Sequence, residues 1–245
     1  MTDAFHLVTA DDVRLAARRW SHPEPRAAVV LAHGFGASSV ESDVVALAEH
    51  LHRAAFEVVT YDARGHGGSG GACTLGDLER HDVAAAVAEA ARADTPVVVV
   101  GASMGAIAVL HHAAGQPASV AGLVTVSCPA RWSLPRNARG VLSALMTQTA
   151  PGRWVARRHL GVRIATRLTR PDPPIELVSR VATPIAVVHG SDDPFIDQSD
   201  AVAIHAAASE PRRLIVVDDM GHAFPELSID PVHRAVEWVL DPPPS

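Results

Sequence analysis

The chain has 245 residues, enough for one domain with a full hydrophobic core, and its 48% hydrophobic and 20% charged residues are ordinary for a globular protein. No apolar run approaches the ~18 residues of a membrane span, and a net charge of −6 gives no reason to expect a nucleic-acid partner. The start, Met1-Thr2-Asp3-Ala4, lacks a basic segment followed by an apolar one, so no secretory signal is expected.

Phe5 to Thr9 and Arg14 to Trp20 flank the turn-like Ala10-Asp11-Asp12 and predict an antiparallel hairpin. Ala27 to Ala32 is a continuous apolar run, as expected of a strand covered by helices on both faces. The alternation continues with a helix over Val44 to Ala55, a strand over Glu57 to Tyr61, a helix over Leu78 to Ala93 and a strand over Val97 to Val100. A helix over Ser103 to Ala114 and a strand over Gly122 to Ser127 follow. From Pro129 to Thr183 the alternation stops, leaving helix-like stretches at Ala138 to Thr149 and Arg153 to Leu168. It resumes with a strand at Ile185 to His189, a helix at Ser199 to Ala208, a strand at Arg213 to Val217 and a helix at Pro231 to Leu240. Alternation of this kind predicts an α/β fold around a mostly parallel sheet flanked by helices. The expected core is 1–128 with 184–245, and 129–183 is an arginine-rich insertion.

Gly101-Ala102-Ser103-Met104-Gly105 fits G-x-S-x-G between a predicted strand and a predicted helix. A serine there sits on a strained turn above the carboxyl edge of the sheet, and Ser103 is the candidate nucleophile. The alternative is a serine that merely caps the helix. A serine hydroxyl needs a base, and His222 in Met220-Gly221-His222 follows the predicted strand ending at Val217. The histidine in turn needs an acid. Asp193, three residues beyond Gly190, is preferred to Asp192, Asp197, Asp218 and Asp219, and the order Ser, Asp, His suits this type of fold. Donors for a developing oxyanion are expected from the Met104 amide and from the Phe35 amide in His33-Gly34-Phe35-Gly36. No His, Asp or Glu spacing makes a metal site, and the chemistry calls for no cofactor. The two cysteines, Cys73 and Cys128, suggest neither a disulfide framework nor a metal site, so reduced thiols in a cytoplasmic protein are expected.

Together these motifs resemble the α/β-hydrolase superfamily, in its serine esterase, monoacylglycerol lipase and prolyl aminopeptidase-like branch. His33-Gly34-Phe35-Gly36 resembles the H-G-x-G oxyanion loop, and Asp62-Ala63-Arg64-Gly65-His66-Gly67-Gly68-Ser69 resembles D-x-R-G-x-G-x-S. Gly190-Ser191-Asp192-Asp193 and Gly221-His222 resemble the acid and base segments. The resemblance implies a Ser103–His222–Asp193 triad acting on a carboxylic ester through an acyl-enzyme. Thioesters, carbon–carbon bonds next to a ketone, and a receptor that keeps the triad without turnover are its alternatives. Asp62, Arg64 and His66 would then shape the loops. Ser103 also argues against the dehalogenases and epoxide hydrolases of the superfamily, which carry Asp at that position. The insertion after the sixth core strand would be a short helical lid.

The lid is unusual in charge. The chain has no lysine, and between 131 and 180 stand ten arginines against Asp172 and Glu176, giving +8 there and −14 over the rest. On a helical wheel Trp154, Gly161, Ile164, Ala165 and Leu168 share an arc of about 100°. His33, Gly34 and Trp154 are candidate substrate contacts. The expectation for the lid is a solvated cationic surface paired with carboxylates of the body. The sharper reading is arginines recognising an anionic part of the substrate; the weaker is a membrane surface. A small-molecule acyl substrate, and not a membrane, is the expected partner.

Overall fold

The computed structural model describes residues 2–116, 119–132, 138–169 and 171–243. Eight strands form one sheet in the order β1-β2-β4-β3-β5-β6-β7-β8. They are β1 (Thr2–Val8), β2 (Arg14–Trp20), β3 (Ala28–Ala32), β4 (Glu57–Tyr61), β5 (Val97–Ala102), β6 (Gly122–Val126), β7 (Ile185–Gly190) and β8 (Arg212–Val217). β2 pairs antiparallel with both β1 and β4, and every later pairing is parallel.

The apolar strand runs are continuous because both faces are covered. In β3, Ala28, Val30 and Ala32 join a core shared with α2 (Glu79–Ala90), α3 (Met104–Gly115) and α7 (Gln198–Ala207). Val29 and Leu31 join a second core with α1 (Ser42–Arg53) and α8 (Ile229–Leu240). Alternate side chains thus feed two layers, the arrangement a parallel sheet requires. The parallel strands all end at one edge, the edge at which open α/β sheets bind ligands.

The 129–183 insertion divides into two parts. α4 (Ala138–Gln148) and α5 (Ala150–Val155) form a hairpin, and α5 runs on into a π-helical turn over Ala156–Leu160. The predicted helix over Arg153 to Leu168 therefore stops at Leu160. Gly161 takes the left-handed conformation (φ 67°), the usual helix-ending device. Ile164 then pairs in extended form with Cys73, so the wheel arc joining Trp154 to Ile164, Ala165 and Leu168 does not exist. Val162, Ile164 and, on α6 (Pro174–Val178), Leu177 and Val178 lie in the same core as α3.

Candidate active site

Ser103 links β5 to α3 with φ 52° and ψ −113°, a conformation that costs a non-glycine residue energy and lifts its side chain off the end of the strand. The two glycines of the motif make the turn possible. A Cβ at Gly101 would stand 2.6 Å from Gly105 O, and one at Gly105 would collide with Ala32 O. Any side chain there would push α3 away from β3 and β5. Ser103 occupies the position before the first helical residue, yet its hydroxyl makes no capping hydrogen bond. The helix-cap alternative is therefore not what the structure shows. As the first residue of α3, Met104 has an N–H with no acceptor one turn back in the helix.

The loop after β3 lies against this turn. A Cβ on Gly34 would come 3.4 Å from Ser103 Cβ, so bare backbone faces the serine. His33 is buried, with Ala63 N–H donating to its Nε2 (2.9 Å) and its Nδ1–H donating to Gly34 O (2.7 Å). Burial, aided by repulsion from His66, lowers its pKa to about 4, so the ring is neutral. With both nitrogens taken and the ring enclosed, His33 holds the Gly34–Phe35 loop and is not open to a substrate. His66 does similar work: its Nε2 accepts the Gly36 N–H (3.2 Å), its Nδ1–H donates to Arg64 O (3.1 Å), and its ring meets Phe35 edge-on.

The loop after β4 supports this arrangement from below. Asp62 accepts the amides of Ser39 (2.7 Å) and Gly68 (2.8 Å). Arg64, 2% exposed, binds Asp82 through Nε and its own amide at 2.8 Å each, and reaches Asp11 with both terminal nitrogens at 2.7 and 2.9 Å. Burial opposes the charge on Arg64, but Asp11 and Asp82 outweigh it and hold the guanidinium firmly protonated. These residues shape the structure and do not reach Ser103.

The other two expected residues meet across the ends of β7 and β8. His222 Nδ1 lies 2.7 Å from Asp193 Oδ2, and the Asp193 side chain has no exposed surface. Gly190 permits the meeting, because a Cβ there would collide with Met220 O. The two loops are further tied by Asp192 N–H to Met220 O (3.1 Å) and Asp219 N–H to Ser191 Oγ (2.9 Å). Burial works to raise the Asp193 pKa. The bond and charge of His222, with the amides of Phe195 (2.9 Å) and Ile196 (3.0 Å) on Oδ1, overcome it and hold the carboxyl below its usual value. Among its rivals, Asp197 is spent capping α7 through Ser199 N–H (2.9 Å), and Asp192 is exposed.

Sequence reasoning missed two positioning residues. Buried Ser127, at the end of β6, accepts the Ala223 N–H (3.1 Å) on its Oγ and so anchors the residue after His222. The Phe195 ring packs 5.0 Å from the His222 ring. A serine ending a strand carries no sequence signal of such a role, whereas Phe195 stood two residues from the chosen acid. Trp154 is 65% exposed on α5, where with Arg157 and Arg158 it lines a hollow of ≈290 Å³. A larger hollow, ≈350 Å³, lies at Thr2, Trp20, Glu49, His52 and Arg53, at the opposite end of the sheet. Among the described residues no His, Cys, Asp or Glu cluster could hold a metal ion, no helix is long and apolar enough to cross a membrane, and both cysteines are free and buried.

A strained serine before a helix, a backbone loop against it, and a histidine–aspartate pair at the same edge define a serine hydrolase of the α/β-hydrolase fold. Residues 23–172 match the family model described as serine aminopeptidase, S33, and the chain belongs to that family. Among curated relatives it is 27% identical over 225 residues to uncharacterized protein Rv2307c of Mycobacterium tuberculosis (strain H37Rv), covering 89% of this chain and 72% of the relative. Among solved structures it is similar to the Pyrococcus furiosus esterase Pf2001, at 20% identity and TM-score 0.76 over 97% of this chain and 92% of that one. It is also similar to a hydrolase from Pseudomonas aeruginosa, at 22% identity and TM-score 0.69 over 98% of both chains. The esterase RhEst1 from Rhodococcus has 20% identity and TM-score 0.66, over 96% of both.

Proposed function

We propose that the chain hydrolyses a carboxylic ester through an acyl-enzyme on Ser103. The observation that carries this reading is the 2.7 Å contact of His222 Nδ1 with the enclosed Asp193 carboxylate, at the sheet edge that also bears Ser103 on its strained turn. With Nδ1 engaged, Nε2 is the ring nitrogen left for proton transfer. Ser103 Oγ attacks the acyl carbon as His222 takes the hydroxyl proton. The oxyanion that forms is met by the amides of Phe35 and Met104. Its collapse expels the alcohol, which leaves with the proton from His222. Water then adds to the acyl-enzyme with His222 again as base, releasing the acid and restoring Ser103. Asp193 keeps the imidazole oriented and stabilises its cation.

An ester is favoured over a peptide with a free amino terminus, because an ammonium group needs carboxylates around it. The insertion holds only two, Asp172 and Glu176, and Asp172 is bound to Arg180. The test is steady-state turnover of p-nitrophenyl esters, matched thioesters and aminoacyl anilides by the full chain and by Ser103→Ala. The expected result is fastest turnover of esters and a loss on the order of 10⁴-fold in the variant. Faster cleavage of aminoacyl anilides than of esters would overturn the ester assignment.

A further inference from the structure

The α4–α5 hairpin leaves large apolar side chains in water: Val141, Leu142 and Leu145 on α4, Trp154 and Val155 on α5, and Leu160 at the end of the π turn. A Cβ on Gly152 would collide with Leu145 O, so the helices pack closely and Leu145 lies near the turn that carries Trp154. Exposed apolar groups concentrated on one small element mark an interaction surface more often than chance.

The charges on the same element narrow the partner. Residues 138–169 contain six arginines and no acidic residue, so the rest of the chain carries −12. Among the described residues Arg153, Arg157, Arg158 and Arg167 have no carboxylate partner, while Arg163 binds the carbonyls of Gly71 and Ser69. For these five arginines the expected pairing with acids of the body is not met. Four acids of the body are held by other groups: Asp62 by amides, Asp11 and Asp82 by Arg64, and Asp77 by Arg80.

We propose that this hairpin docks the protein on an anionic membrane surface, with Trp154 and the leucines in the boundary between headgroups and acyl chains and Arg157 and Arg158 on lipid phosphates. Trp and Arg beside exposed leucines is the composition of an interfacial element, and arginine forks suit phosphate oxygens. A symmetric pairing of two hairpins would set arginines against arginines, which disfavours a second copy of the chain as occupant. The acidic body would be repelled by the same surface, so the hairpin must face the lipid and the sheet must point away from it. Leu160 lies 3.8 Å from the position a Gly36 Cβ would take, so the docked element borders the loop beside Ser103. This docking would depart from the expectation that no membrane is a partner, and it does not depend on Ser103 acting as a nucleophile.

The test is flotation of the full-length Ser103→Ala protein with vesicles of phosphatidylcholine alone and of phosphatidylcholine mixed with phosphatidylglycerol, together with tryptophan emission. The proposal predicts binding to the mixed vesicles that is at least about tenfold tighter than to neutral ones and weakens with salt. Arg157→Gln with Arg158→Gln should reduce it about tenfold. Trp154→Phe should remove the blue shift of emission, and thermal melting should show all variants folded. Failure to float with anionic vesicles, equal binding to neutral ones, or binding untouched by these substitutions would overturn it. So would sedimentation equilibrium showing that the hairpin substitutions abolish self-association while no lipid binds.

Discussion

Beneath Ser103, the polar side chains of the loops after β3 and β4 are committed to one another: Asp62 to two amides, Arg64 to Asp11 and Asp82, His33 and His66 to backbone on both ring nitrogens. Above it, the α4–α5 hairpin holds arginines with no carboxylate partner among the described residues and apolar side chains with no cover. The difference follows from burial. An enclosed charge must be partnered or it destabilises the fold, whereas an exposed arginine can stay free for a ligand at little cost. The lower region is therefore built to hold geometry, whereas the upper leaves Arg153, Arg157 and Arg158 without a carboxylate partner, as the proposed docking requires.

The largest effect is expected at the edge the lower region supports. Asp193→Asn should lower kcat for ester hydrolysis on the order of 10³–10⁴-fold with an unchanged melting temperature, since the histidine would lose its orienting carboxylate. A fall of less than about tenfold would remove Asp193 from the proposed triad. Next, Arg64→Met leaves Asp82 enclosed without its partner and should cost about 3–5 kcal/mol, a drop of about 10 °C in Tm. The double change Arg157→Gln and Arg158→Gln should shift stability by no more than about 0.5 kcal/mol in the same measurement. Similar losses in the two variants would erase the contrast between the regions.

Acid sharpens it further. His33 and His112 ionise at about 4 in the folded chain, chiefly because burial opposes their charge, against an ordinary value of 6.5. Both pKa values are depressed, so the stability these groups contribute is fully present above pH 6.5 and is lost as pH falls toward 4. The loss is about 3 kcal/mol for each by pH 4. Denaturant titrations should show His33→Gln with a shallower decline between pH 6.5 and 4; an identical slope would contradict a neutral His33. The smallest effects separate two glycines of similar conformation. Gly65 (φ 77°) is enclosed by Arg163 O and Cys73 N, while Gly161 (φ 67°) faces open space. Gly161→Ala should cost only about 1 kcal/mol for its backbone, and Gly65→Ala should cost visibly more in urea melts, because the clash adds to the strain.

Much of the lower region could be read from the sequence because each feature there answers to a local rule. Val97 to Val100 and Ala27 to Ala32 are continuous because both faces are buried, and Gly101 and Gly105 are small because α3 nearly touches the ends of β5 and β3. What escaped reading depends on contacts between distant segments. Ser127 anchors Ala223 across 96 residues of chain, and nothing local to either announces it. The bridge of Ile164 to Cys73 turned a predicted helix into extended chain; only Gly161 hinted at the break. That Arg153, Arg157, Arg158 and Arg167 find no carboxylate partner could not be read either, since it depends on which residues distant segments bring near them.

The central claim is that Ser103 carries the acyl group. The most direct measurement is intact mass and peptide mapping of the full chain after exposure to a fluorophosphonate. The account predicts one adduct, on the peptide containing Ser103, absent in Ser103→Ala and slowed in Asp193→Asn. An adduct on another residue, or equal labelling of Ser103→Ala, would contradict it.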